Sequence, residues 1–417
     1  MRIHPILAAS LLFAVTAVHA QRNYEPDLKG FVTRIASPAE IDVNGVHIRI
    51  DSGTQFFAKA ANKLSRSQAV DATPFMGQSV EVYGKRYDKE HAIEAKQINL
   101  RQNQAHKVRG SGVVDAIPMD KLSSEGQVLR ADGYLVLITK QTEQMFEPPL
   151  TAADVPQTNL WVSFQGIQRT DGVVLATDVS FRLNTVSERE EKVSARTEHD
   201  PASVNPAAEQ STTSMLFHGV DPSQIPPYKD EKMQSRVNSI GERLVPKYQR
   251  ELAATDRTKI NFRFQVVEEK NLLFSFAWPN GIVLVPSDLV EFLKDDSQLA
   301  AVLADSVANV LEKHPFGIAQ SGNKRLAGAL LGVVSPLDML YSLSHKNVFF
   351  GANTKEDLEQ SGRVSLCLMR DAGYDVHEAP RAWWVLADTK SKGLDKTPLP
   401  ARSEYLYKFL GETWHGQ

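Results

Sequence analysis

The residues best placed for chemistry lie in one apolar run, Gln298–His314, which reads QLAAVLADSVANVLEKH. Asp305 and Asn309 are four apart, so on a helix their side chains leave one face, with Ser306 beside them. All three offer oxygen donors. An asparagine carbonyl is a weak, hard donor that suits calcium better than zinc. A serine hydroxyl is not a base near neutral pH unless a partner takes its proton. His314 lies two turns further on, roughly 12 Å from Ser306 by helical rise, too far to act on it directly. With alanine and leucine on both sides the helix is buried. Asp305 and Asn309 must therefore find hydrogen bonds to each other, to neighbouring backbone or to water.

The flanking elements are legible from pattern. Met233, Val237, Ile240, Leu244 and Tyr248 recur at steps of three and four, an amphipathic helix that Pro246 ends early or kinks. INFRFQVVEE and NLLFSFAW read as strands, and Asn280-Gly281 as a tight turn into IVLVP. Leu289–Leu293 starts a short helix, and Asp295-Asp296-Ser297 supplies a cap for the run that follows.

These residues carry a resemblance. The segment from Phe274 to His314 is similar, element for element, to the core of the zinc metallopeptidases related to HtpX, BepA and the CAAX-prenyl endopeptidases, peptidase family 48 of clan MA. Phe276-Ala277, Pro279 and Gly281 match that family's N-A-F-A-x-P-G-G, Leu299–Ala304 match the lead-in to its H-E-x-x-H, and Lys313-His314 match its basic-His close. Downstream, Ala372-Gly373-Tyr374-Asp375 and Trp383-Trp384 fit its A-G-Y-D and aromatic-rich helix. The resemblance spans about Arg236–Leu386.

Carried over position by position, the resemblance places the first zinc ligand at Asp305, the general base at Ser306 and the second ligand at Asn309. Counting back from Gly373 puts Gly362 at the family's aspartate and Leu358 at its zinc-ligating glutamate. Zinc catalysis of this type needs imidazoles, a carboxylate and a base that takes a proton from bound water. Leucine cannot coordinate, and loss of the base alone typically costs about 10²–10⁴-fold. A shift of one residue would bring Glu359 to the third position, but an all-oxygen site without a base results; otherwise Glu356 and Glu359 form a solvated helix face. The expectation is that no residue here is catalytic, no metal or other cofactor is bound, and Asp305, Ser306, Asn309, Leu358 and Gly362 are vestigial. In this fold the strand beside the central helix receives substrate as an added strand, which makes Ser275, Phe276, Ala277 and Trp278 the candidates for a peptide groove.

The first half of the chain repeats itself. Copy one gives Gly30-Phe31-Val32, IDVNGVHIRID with Asn44-Gly45 as a hairpin turn, GQSVEVYG and HAIEAKQINL. Copy two gives Gly112-Val113-Val114, LRADGYLVLIT with Asp132-Gly133 in the same role, NLWVSFQG and DGVVLATDVSF. Each copy reads as a small antiparallel, OB-like barrel of about five strands. The order of turns resembles exported modules of the DUF 5666 type, which implies fold more than activity. There is no row of aromatics with lysines or arginines of the kind that binds single-stranded nucleic acid.

Composition sets the remaining bounds. A formal net charge of −3 over 417 residues is too small to imply binding to nucleic acid or anionic membrane. One cysteine, Cys367, excludes an intramolecular disulfide and reads as a small buried hydrophobe. Arg2, the apolar Ile6–Ala17 and Val18-His19-Ala20 read as a secretory signal too short to span a membrane, and no later segment is long enough either.

The expected protein is multidomain: a signal peptide at 1–20, all-β tandem OB-like barrels at 28–105 and 106–184, a flexible linker at 185–229, and an α+β, mainly helical, zincin-like domain at 230–417. It is periplasmic or secreted, with no transmembrane segment in the mature chain. Its expected function is to bind unfolded or envelope polypeptides as a scaffold without cleaving them. Two other readings stay open: an active zinc-dependent endopeptidase with atypical ligands, and a structural or polymer-binding protein working through its β modules.

Overall fold

The computed structural model describes residues 25–59, 68–69, 73–118, 125–196, 198, 226–268, 274–315, 355–388 and 399–414. The expected signal peptide and residues 199–225 of the expected linker lie outside the described residues.

The first sheet contains β1 (Leu28–Ser37), β2 (Glu40–Val43), β3 (Val46–Arg49), β4 (Gln55–Lys59), β5 (Gln68–Ala69), β6 (Ser79–Tyr87) and β7 (Ala92–Arg101). It closes on itself: β1 pairs with β2 and β6, β2 with β3, β6 with β7, and β3 with β7 in parallel. β4 lies parallel to the far end of β7.

The second sheet repeats this plan with β8 (His106–Ala116), β9 (Gln127–Ala131), β10 (Tyr134–Ile138), β11 (Glu143–Phe146), β12 (Leu160–Gln168) and β13 (Val174–Leu183). The parallel pair β10–β13 closes this barrel, and β11 lies parallel on β13. Both expected hairpin turns are present. Asn44 and Gly45 have φ of 47° and 79°, and Asp132 and Gly133 of 53° and 74°, the positive values a two-residue hairpin of this twist requires. Gly84 and Gly166 end the same motif in the two copies, each at a bulge where a Cβ would lie within 2.2 Å of a neighbouring strand's carbonyl oxygen.

The helical half begins with α2 (Glu231–Leu244), following a short α1 (Glu188–Arg196) in the segment between the halves. Asp230 caps α2 by accepting from the amides of Lys232 and Met233 at 2.9 Å. The helix stops before Pro246, after which α3 (Lys247–Glu251) starts. β14 (Arg263–Val267), β15 (Phe276–Ala277) and β16 (Ile282–Pro286) form a small sheet in the order β14-β16-β15. Then come α4 (Ser287–Phe292), α5 (Asp296–Leu311), α6 (Lys355–Asp371), α7 (Glu378–Asp388) and α8 (Ala401–Thr413). Helix α5 is buried on every side from Leu299 to Leu311, because α2, α6, α7 and β15 all pack against it. Its alanines permit that close approach.

Residues 185–229 were expected to be a flexible linker, and α1 corrects this over 188–196. Its start carries a reciprocal cap: Ser187 Oγ accepts from the Glu190 amide at 3.3 Å and Glu190 Oε2 accepts from the Ser187 amide at 2.7 Å. Glu190 also pairs with Lys313 at 3.3 Å, and Glu191 with Arg257. A segment poor in large apolar residues is thus held by its cap and its charges, which a reading based on hydropathy undervalues.

The two barrels differ in where their cores go. The first encloses its own, with Val32, Ile41, Ile48, Val80, Val82, Ile93 and Ile98 at its centre. The second shares one continuous core with the helical half, in which Val114, Leu129, Val162 and Phe164 join Leu303, Leu366 and Leu406.

Candidate functional site

Asp305, Ser306 and Asn309 all sit in the middle of α5 and are at most 7% exposed. Asn309 Nδ2 donates to the Asp305 carbonyl at 2.8 Å and to Asp305 Oδ2 at 3.2 Å. Asn309 Oδ1 lies 2.8 Å from His314 Nδ1, and His314 Nε2 lies 3.0 Å from Gln360 Oε1 on α6. Ser306 Oγ is 2.6 Å from Ser275 Oγ, which also donates to the Val302 carbonyl at 3.3 Å. No histidine or carboxylate bonds Ser306, so the hydroxyl has no base among the described residues.

The remaining oxygen of Asp305 is held by Arg402. This guanidinium reaches in from the first turn of α8, donates to Asp305 Oδ1 and lies 3.5 Å from Ser361 Oγ. It is stacked on Trp383 of α7, 3.7 Å from the ring centroid. Burial pulls Arg402 below its ordinary pKa, and the Asp305 carboxylate opposes that pull. The positive charge facing Asp305 therefore comes from a side chain.

Helix α6 does not present the two positions carried over from the family as polar groups. Leu358 has only an aliphatic side chain, and its carbonyl accepts from Ser361 Oγ at 3.3 Å. At Gly362 a Cβ would come within 3.1 Å of Leu406. From α6, Gln360 and Ser361 turn toward the centre, and Asp357 Oδ1 lies 3.8 Å from His314 Nε2. Glu359 pairs with Lys355 at 3.4 Å and Glu356 is exposed, so neither reaches Asp305. Zinc does not fit this donor set. One carboxylate is already neutralised by a guanidinium, the second position is an amide engaged in hydrogen bonds, and the third is a hydrocarbon. Among the described residues no group of three His, Cys, Asp or Glu side chains comes together as a metal site.

The centre is also wired into the second barrel. Gln360 Nε2 donates to the Ser111 carbonyl on β8 at 2.6 Å and to Glu312 Oε2 at 3.1 Å. Burial pushes Glu312 well above the usual carboxylate range, and the nearby Asp132 and Asp115 add to the shift. An unbroken series of contacts runs from Arg402 through Asp305, Asn309, His314 and Gln360 to Ser111. Sequence reasoning missed Arg402, Gln360 and Ser361. Arg402 opens a helix outside the matched motifs, and no local spacing signals that it returns to α5.

Three of the four groove candidates have buried side chains. Ser275 is bonded to α5, Ala277 is 6% exposed within the main core, and Trp278 is 7% exposed in a small cluster with Val267, Ile282 and Leu284. These three side chains pack inward, and β15 is the edge strand of its sheet, paired with β16 on one side and in contact with α5. Phe276 contributes its backbone, paired with Leu284. What an added strand could meet here is the β15 main chain.

The buried central helix and the three-stranded sheet beside it both lie in a segment that is similar to a peptidase family. Residues 231–386 match the model of peptidase family M48, and residues 29–99 match that of a domain of unknown function, DUF5666, which covers the first barrel. Among curated proteins, the chain is 25% identical over 179 residues to the putative beta-barrel assembly-enhancing protease of Vibrio cholerae serotype O1, covering 39% of this chain and 34% of that protein. It is 26% identical over 184 residues to the beta-barrel assembly-enhancing protease of Yersinia pestis, covering 40% of this chain and 35% of that one. The chain thus spans about a third of the length of these relatives. Among the described residues no helix is long and apolar enough to cross a membrane.

Proposed function

We propose that this is an exported, catalytically inactive metallopeptidase-like protein that binds polypeptides in the cell envelope, in the periplasm or outside the cell. The observation that carries the reading is Arg402, whose guanidinium occupies Asp305, the position that the resemblance assigns to the first metal ligand. With that ion pair, an amide at Asn309 and a hydrocarbon at Leu358, the centre serves as packing. The strand β15 keeps its place beside α5, and its backbone is the surface on which an extended polypeptide adds as a further strand. The two β modules, whose five-strand closure through a parallel third–fifth pair suits an OB-like barrel, act as the scaffold that holds this domain. Likeness to proteases named for β-barrel assembly favours unfolded envelope polypeptides as partners.

The test is elemental analysis of the purified protein together with cleavage of an unfolded protein substrate, with and without chelator. The expected result is no stoichiometric zinc, no chelator-sensitive cleavage, and retained binding of the unfolded substrate. Stoichiometric zinc with chelator-sensitive cleavage would show an active peptidase and overturn the reading. Arg402→Ala should cost about 3–5 kcal/mol in denaturant unfolding, since it strands a buried carboxylate. Replacing Arg402 and Asp305 together by leucine should restore most of that loss.

A further inference from the structure

A second site lies away from this centre, at the seam between the second barrel and the helical half. A cleft of about 550 Å³ opens between the end of β8, the α2–α3 junction and the last turns of α6. Clefts of this size at such seams are where ligands are commonly bound. Its inner end is marked by Asp115, which is 7% exposed. Asp115 Oδ1 accepts from Arg130 Nε at 2.7 Å. The other nitrogens of Arg130 are committed to Asp371, one of them at 3.0 Å. Asp115 Oδ2 has no hydrogen-bond partner among the described residues. One arginine is therefore shared between two carboxylates, and one buried oxygen is left over. Burial pushes the Asp115 carboxyl above its ordinary range even though Arg130 pulls it down. A buried acceptor in that position calls for a donor from outside.

The rest of the cleft specifies the donor. Leu244, Leu368 and Ile117 give it aliphatic walls, against which a chain of methylenes can lie. Lys247, Arg250 and Glu251 stand exposed at its rim, with Lys247 paired to Glu251 at 3.6 Å. Arg243 is not available, because it donates to the Ala372 carbonyl and stacks 4.6 Å from the centroid of Tyr374. The cleft thus offers an orphan carboxylate oxygen, an apolar sleeve, the further carboxylates Asp371 and Glu251, and at its rim Arg250 beside the Lys247–Glu251 pair. A long cationic side chain with an acidic neighbour complements that arrangement, whereas an anion entering first would meet Asp115.

We propose that the cleft receives a lysine side chain of a bound polypeptide. The ammonium donates to Asp115 Oδ2, the stem lies on Leu244 and Leu368, and an acidic residue of the same polypeptide meets Lys247 and Arg250. This takes from the proposed function only that the bound molecule is a polypeptide; it does not depend on β15 or on the state of Asp305.

The experiment titrates the whole protein calorimetrically with a blocked pentapeptide, Ala-Lys-Ala-Glu-Ala, and with the same peptide carrying norleucine for lysine. The lysine peptide should bind at least tenfold more tightly. Thr158→Trp, at the cleft mouth, should abolish its binding with Tm unchanged, and Asp115→Asn should erase the preference for lysine. If Asp115→Asn does not fold, Lys247→Glu with Arg250→Glu gives a surface readout: binding should weaken and be rescued when the peptide's glutamate is changed to lysine. Equal affinity for the norleucine peptide, absence of binding by either peptide, or an undiminished lysine preference in Asp115→Asn overturns the proposal. A gain in Tm for Asp115→Asn without peptide binding would assign the carboxyl a purely structural role. Binding of unfolded protein that persists in Thr158→Trp would leave the proposed function standing, so the two can fail separately.

Discussion

The two barrels are built from one repeated pattern and close through the same parallel pair, yet they are held in place by different physics. In the first, the Asn44-Gly45 turn touches the helical half at Trp384, where a Cβ on Gly45 would lie 2.5 Å from the indole. Ion pairs such as Arg49 with Glu90 stay at the surface at about half exposure each, and among the described residues the one carboxylate buried in a pair, Glu81, is met by the half-exposed Arg101 of the same barrel. In the second, the equivalent Asp132-Gly133 turn is driven against α6. Arg363 Nε donates to the Asp132 carbonyl at 3.0 Å, its other nitrogens reach Asp132 Oδ1 and Tyr405 Oη, and the guanidinium lies 5.0 Å from the Tyr134 ring centroid. Cys367 Sγ points at the Gly133 carbonyl at 3.6 Å, and burial pushes that thiol up to about 11. A duplicated module can thus be an appendage in one copy and part of the domain core in the other. The turn residues differ accordingly: Asp132 carries a charge that the buried Arg363 completes, whereas Asn44 Oδ1 accepts from the Phe31 amide of its own barrel at 2.9 Å.

The comparison breaks most sharply at Arg363. Arg363→Ala should cost about 3–5 kcal/mol, because Asp132 is left buried and uncompensated. Urea unfolding followed by tryptophan fluorescence should show that loss in the transition shared by the second barrel and the helical half. The first barrel, with its separate core, should keep its own stability, read by hydrogen exchange of its strand amides because all five tryptophans lie outside it. A uniform shift of both would show that the barrels are equally coupled.

A smaller effect is expected at Glu312, which caps the same seam. Its folded pKa is raised, so the folded chain holds this proton more tightly than the unfolded chain. The stability it contributes is fully present below the unfolded value, about 4.5, and is lost as pH rises toward the folded value. Glu312→Gln removes that loss. The Tm of the variant should gain on the wild type as pH rises above about 5. A difference that is constant with pH would show that Glu312 is not a buried acid. The smallest effect is reserved for the first barrel: Arg49→Ala should change stability by less than about 1 kcal/mol and by less still in high salt, as an exposed pair should.

Much of the fold is written locally. The two hairpins follow from Asn44-Gly45 and Asp132-Gly133, since few other residues accept positive φ at adjacent positions. The end of α2 follows from Pro246, and the start of α5 from Asp295, whose Oδ1 accepts from the Gln298 amide at 3.0 Å. The register of the central helix was readable from Leu299–Ala304 and Lys313-His314, so Asp305, Ser306 and Asn309 could be named without a structure. Helix α1 was not readable, because charge pairs to Arg257 and Lys313 replace the apolar face on which periodicity depends.

What the sequence determined by itself was that Asp305 and Asn309 share one face of the central helix and where the chain turns, since both depend on steric and hydrogen-bonding rules acting within about four residues. Only the tertiary structure decided what those residues do. Asp305 meets Arg402 from 97 positions away, Arg130 meets Asp371 from 241, and Arg363 meets Asp132 from 231. Such partners are selected by the packing of whole elements, which sets which charges are taken out of water together, and no local pattern encodes that choice.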